Sequence, residues 1–126
     1  PAYKGVTSSD LGFAKAGSNG TPALTASFTT PPDTLALAVS QAPASRPGAL
    51  FLASTQALAP FKGGTLVPAP TFVFGVASNA AGALNLALPV AFSLPTGVQL
   101  YTQVWFQDAG GSFAATNALF FELITP

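Results

Sequence analysis

Beyond residue 22, apolar and polar positions alternate in short runs, and Pro or Gly interrupts the alternation every few residues. A period of two puts successive side chains on opposite faces of an extended strand. Residues 23–30 place Leu24, Ala26 and Phe28 on one face and Thr25, Ser27 and Thr29 on the other, and Pro31, Pro32 and Asp33 end the run. Residues 34–40 oppose Leu35, Leu37 and Val39 to Ala36 and Ala38. Residues 41–48, with Pro43 and Pro47, read as a loop, and residues 49–54 as a short apolar strand. Residues 55–61 read as a single helical turn limited by Pro60. Gly63 and Gly64 open strands at 65–67 and 71–76; Pro68 and Pro70 cannot donate to a ladder, which predicts an edge strand or a bulged crossing there. Asn79-Ala80-Ala81-Gly82 predicts a hairpin-like turn, after which Leu84, Leu86 and Leu88 share a face.

Pro95-Thr96-Gly97 predicts a further turn, and the run that follows, 98–107, carries the strongest alternation in the chain. Val98, Leu100, Thr102, Val104 and Phe106 face one way; Gln99, Tyr101, Gln103, Trp105 and Gln107 face the other. Residues 109–112 turn the chain back, Phe113 starts a last hairpin arm, and 118–125 close it with Leu119, Phe121 and Leu123 on one face. About seven to eight strands at this spacing predict an all-β fold, a two-sheet antiparallel β-sandwich of immunoglobulin-like or jelly-roll-like kind. Residues 1–20 differ: small residues separate the isolated apolar Tyr3, Val6, Leu11 and Phe13. They read as an extended N-terminal arm, with room for one short strand, on a sandwich domain of residues 21–126.

Composition narrows the function. At 126 residues the chain has the size of one domain, and 49% apolar residues are enough for a core. Charged residues make up only 6%, against about 25% in ordinary soluble domains. Four cations balance four carboxylates, so little charge opposes self-association. No basic patch exists to neutralise phosphates, which excludes nucleic acid as a partner. Cys, His and Met are all absent. That removes thiol chemistry, the commonest general base and the commonest metal ligand. A chain that begins at Pro1 and contains no Met reads as a mature protein after removal of an export signal, or as an excised domain. The longest apolar run, residues 83–92, contains Pro89 and falls short of the ~20 residues of a membrane span.

No catalytic constellation emerges, so the chain reads as a non-enzyme without cofactor or metal. Asp33 and Asp108 occupy turn positions, Glu122 lies opposite the apolar face of its strand, and Asp10 belongs to the arm. Serines have no His to activate them. Asn19-Gly20-Thr21 matches a glycosylation sequon, although Asn-Gly is also a common turn pair. The face Gln99, Tyr101, Gln103, Trp105 and Gln107 offers rings and amides of the kind that bind a glycan. The same residues suit a face covered by another element or subunit.

From about Gly17 onward the chain resembles a domain of large secreted proteins of planctomycetes and related bacteria. The resemblance lies in the order of "GTPALTASFTT", "TLALAVSQAPASRPGALFLAST", "FKGGTLVPAP", "SNAAGALNLALPV" and "TGVQLYTQVWFQDAGGSFAATNALFFEL". The recurrent family positions correspond to Tyr101-Thr102-Gln103, Asp108 and Thr116-Asn117-Ala118-Leu119; the Cys often found near the start of such domains is missing. It implies a secreted β-sandwich and no enzymatic activity. The leading expectation is therefore a structural subunit of an extracellular or cell-surface assembly (filament, sheath or surface layer). Tyr3, Val6, Leu11 and Phe13 of the arm would add a strand to a neighbouring copy. The alternative is a carbohydrate-binding or adhesion module, which requires Tyr101 and Trp105 to be exposed.

Overall fold

The computed structural model describes residues 5–29, 34–89 and 99–124. Tyr3, Lys4, the turns at 31–33 and 95–97, and Val98 lie outside the described residues, as do the side chains of Val6, Phe28, Leu35, Leu88 and Leu123.

The described chain is all-β. In order its strands are β1 (Gly5–Gly12), β2 (Ala23–Thr29), β3 (Thr34–Ser40), β4 (Pro47–Ala53), β5 (Gln56–Phe61), β6 (Gly64–Pro68), β7 (Phe72–Ala77), β8 (Leu84–Pro89), β9 (Gln99–Gln107), β10 (Phe113–Ala115) and β11 (Ala118–Ile124). One 3-10 turn at Ala109–Gly111 joins β9 to β10. A six-stranded sheet runs β1-β11-β9-β4-β7, with β10 also on β9. A three-stranded sheet runs β2-β3-β8, and β5-β6 form a separate hairpin. All the pairings are antiparallel.

Alternation sorts the core into two layers. Leu50 of β4, Val104 and Phe106 of β9, and Leu119 and Phe121 of β11 point to one side of the large sheet and meet Leu24, Leu37 and Val39 of the small sheet. Each such side chain contributes about 1.5–3 kcal/mol by leaving water. The odd positions of β4 and β9 point the other way, where Phe51 and Trp105 meet Leu66 and Phe61 of the β5-β6 hairpin. The large sheet is thus covered on both faces along β4 and β9.

Two expectations are corrected. Within residues 55–61, Gln56–Phe61 form a strand rather than a helical turn. Lys62 (φ 49°) and Gly63 (φ 83°) supply the consecutive positive φ angles that a tight two-residue hairpin requires, and the β5-β6 ladder follows from it. The described part of residues 1–20 is not a free arm. β1 pairs with β11 of its own chain from Gly5↔Ile124 to Gly12↔Ala118, and Lys15 continues onto Ala115. An unpaired β11 would leave a row of main-chain donors and acceptors open, and the N-terminal segment satisfies them.

Candidate functional site

β9 carries the face singled out from the sequence, and the hairpin decides what becomes of it. Gln99 and Gln107, at the two ends, are exposed; Tyr101 is half-buried against Phe120, with ring centroids 5.2 Å apart. Between them, Trp105 is 3% exposed and Gln103 is fully buried. Trp105 meets the ring of Phe61 edge to face at 5.0 Å, and Phe61 meets Phe51 at 5.9 Å. A Cβ on Gly64 would sit 2.9 Å from Trp105 Cη2, so only Gly lets the hairpin main chain lie this close to the indole. The expected glycan platform is corrected on this point: its principal ring is roofed by β5-β6 and is not available for stacking.

Gln103 is a structural clamp. Its Oε1 accepts from Val67 N–H of β6 at 3.1 Å, and its Nε2 donates to the carbonyls of Thr116 (3.1 Å), Thr65 (3.3 Å) and Phe13 (3.3 Å). One amide thereby joins the hairpin, the N-terminal segment and the β10-β11 junction. That junction contains an extra residue. Pairing with β9 slips by one between Ala115↔Trp105 and Leu119↔Thr102, a bulge that frees Thr116 and Asn117 from the regular ladder. Thr116 Oγ1 accepts from Val104 N–H at 3.0 Å. Asn117 turns to the small sheet, where its Oδ1 accepts from Leu24 N–H at 2.7 Å and its Nδ2 donates to Leu24 O at 3.2 Å. The side chain of Asn117 thus stands in for a strand neighbour to β2. The Tyr-Thr-Gln and Thr-Asn-Ala-Leu segments recognised in the sequence therefore hold layers together.

Asp108 does the same for the N-terminal segment. Its Oδ2 accepts from Ser18 N–H, and its Oδ1 from Ser18 Oγ and from Ala109 N–H, all at 2.7 Å. The Ser18 hydroxyl is the largest influence holding the Asp108 carboxyl below its ordinary pKa; burial opposes it, and the two N–H groups and Arg46 add to it. A Cβ on Gly17 would lie 2.7 Å from Asp108 Oδ2 and 2.6 Å from Ala114 Cβ, so Gly at this position permits the approach. Asn19 is exposed in the turn closed by Gly17 and Gly20 and donates from Nδ2 to Ala42 O at 3.0 Å.

The other candidates separate. Asp10 Oδ1 accepts from Gly12 N–H at 2.8 Å, Glu122 lies on β11, and Asp33 lies outside the described residues. Among the described residues, no three His, Cys, Asp or Glu side chains cluster as a metal site would need. Val6 pairs through its main chain with Leu123 within the chain, Leu11 is half-buried, and Phe13 is 49% exposed. A hollow of about 180 Å³ lies beside Phe51, Phe61, Trp105, Gln107 and Phe113. That is below the roughly 300–1,000 Å³ of pockets that enclose small ligands.

Among the described residues, exposed large apolar side chains concentrate on β7. Among the described residues it bonds to β4 alone, through six consecutive pairs from Pro47↔Ala77 to Leu52↔Phe72. Phe72, Val73 and Phe74 are 55%, 51% and 48% exposed. Phe72 and Phe74 fall on the side of Leu50 and Leu52, and Val73 on the side of Phe51, so both faces of this strand meet solvent. Pro68 and Pro70 predict an edge or a bulged crossing here, and among the described residues β7 is an edge.

No protein-family model, no curated protein and no solved structure matches this chain. Fold and surface together define an all-β protein in which Gln103, Asn117 and Asp108 tie its own layers together and β7 presents an uncharged sheet edge among the described residues. No helix among the described residues is long and apolar enough to cross a membrane.

Proposed function

We propose that this chain is a structural subunit of an extracellular assembly, a filament, sheath or surface layer, built by strand-to-strand contact between copies. The observation that carries this reading is β7, an edge strand with three consecutive exposed apolar side chains and no charge from Phe72 to Ala77. Proteins that remain monomeric blunt such edges with charge, Pro or bulges. The 6% content of charged residues supports the same reading, because little repulsion opposes close approach of copies. The low Lys and Glu content and the resemblance to secreted bacterial domains favour an extracellular setting. Strand donation by the N-terminal segment is the less favoured mode, because β1 already completes the ladder of its own β11.

Sedimentation velocity over a concentration series, with electron microscopy of the most concentrated sample, tests the proposal. The expected result is a mass that rises above the 12.6 kDa of one chain, with ordered particles. A single monomeric species at every concentration would refute it.

A further inference from the structure

We infer that β7 pairs with β7 of a second copy, antiparallel about a two-fold axis, so that two six-stranded sheets become one continuous sheet. The inference rests on the self-assembly reading above and adds the partner strand and the symmetry.

Three observations select this partner. First, β7 has none of the features that block edge pairing: its register on β4 is unbroken, and residues 72–77 contain neither Pro nor charge. Second, the opposite edge of the same sheet is blunted. The β1 ladder shifts between Asp10 and Gly12, Asp10 folds its carboxylate onto Gly12 N–H, and β1 lies alongside β2. A head-to-tail contact between β7 and a neighbour's β1 would meet that irregular, acidic strand. Third, β7 complements itself. Antiparallel pairing centred on Val73 sets Val73 opposite Val73 and Phe72 opposite Phe74, and centring on Phe74 sets Phe72 opposite Val76. Apolar residues face apolar residues in both registers, with no like charges to repel.

The area sets the strength. Complete cover of the exposed halves of Phe72, Val73 and Phe74 on both copies would remove roughly 500–600 Å² of apolar surface, and lateral pairing, which covers their flanks, removes part of it. With the main chain of both strands the contact approaches the ~1,000 Å² at the lower limit of specific interfaces. The pair is thus a weak, concentration-dependent dimer. A two-fold contact closes on itself, so the dimer is the building unit, and larger assemblies grow through other surfaces.

The absence of Cys allows a direct test. Val73→Cys, Phe74→Cys and Gly75→Cys are made singly, with exposed Ser54→Cys as control, and oxidised mildly at a concentration where the protein associates. Opposed residues of an antiparallel pair are about 4.5–5.5 Å apart at Cα, within disulfide reach. The expected result is a covalent dimer from a β7 position and none from Ser54→Cys. Val73→Lys should raise the dissociation constant about tenfold or more, because it sets like charges together. Its denaturation midpoint and Trp105 fluorescence should match the parent at low concentration. If the protein associates but no β7 cysteine cross-links to itself, the two-fold pairing is overturned while assembly stands. Cross-linking only in a mixture of Val73→Cys and Ser9→Cys chains would assign the contact to β1 instead. If the protein never associates, both proposals fall.

Discussion

Gln103 offers the sharpest test of how this chain holds its layers. Gln103→Leu keeps the approximate volume and removes every hydrogen bond of the amide. Val67 N–H then has no acceptor in a place where Val67 is fully buried, and the carbonyls of Thr116, Thr65 and Phe13 lose their donor. A buried donor left unpaired costs about 1–3 kcal/mol, and the carbonyl contacts, at 3.1–3.3 Å, add less than a full bond each. The expected loss is about 3 kcal/mol, a large share of the roughly 6–19 kcal/mol that a domain of this length has. The corresponding fall in Tm is about 10 °C.

Urea denaturation followed through the single Trp105 measures this directly. The expected outcome is a lower midpoint with an unchanged slope, since the folded and unfolded surfaces change little. Hydrogen exchange adds a local readout: Val67 N–H and its neighbours on β5 and β6 should lose protection more than the β2-β3 ladder. A variant within about 1 kcal/mol of the parent would show that the clamp reasoning is wrong.

Asn117→Ala removes both side-chain bonds to Leu24 and should cost about 2–3 kcal/mol in the same assay, with exchange quickening along β2. Thr102 tests the opposite sign: its Oγ1 is buried on the core face without a partner among the described residues, so Thr102→Val should stabilise by about 1 kcal/mol, and a destabilised variant would reveal an unrecognised partner. For pH, the folded-state pKa of Asp108 lies below its unfolded value near 3.9, so its contribution is present above that value and is lost as pH falls through the folded pKa. The denaturation midpoint should therefore decline on acidification below about pH 4, and Ser18→Ala, which removes the largest cause, should flatten part of that decline.

The all-β architecture was legible because alternation is a local signal, and β2, β3, β8, β9 and β11 all carry it. The clamps were not, because their partners are remote. Gln103 takes its bonds from residues near 13, 65, 67 and 116, and nothing in the local pattern of β9 distinguishes a buried amide from an exposed one. For Trp105 the sequence left a covered face and an open glycan platform as alternatives, and what decides between them is a hairpin about forty residues upstream in sequence order. Residues 55–61 misled through composition. Gln56, Ala57, Leu58 and Ala59 favour a helix weakly, and pairing across the Lys62-Gly63 turn overrides that preference. The N-terminal segment looked separate because its partner, β11, lies at the other end of the chain.

β7 brings pattern and position into conflict, and the conflict is informative. Apolar residues on both faces of a short strand belong to strands covered on both sides, as β4 and β9 are by the small sheet and the hairpin. Pro68 and Pro70 instead direct the chain to an edge, and the fold leaves Phe72, Val73 and Phe74 about half exposed there. An edge strand that functions alone gains nothing from two adjacent faces of Phe and Val, and it carries a risk of uncontrolled pairing. A second strand along this edge would pair its open main chain and cover the flanks of Phe72, Val73 and Phe74, making β7 an interior strand of a wider sheet. Lys at position 73 separates the two accounts. If the exposed residues serve only the fold of one chain, the substitution lowers stability and leaves association alone. If they serve the assembly, stability stays and association is lost.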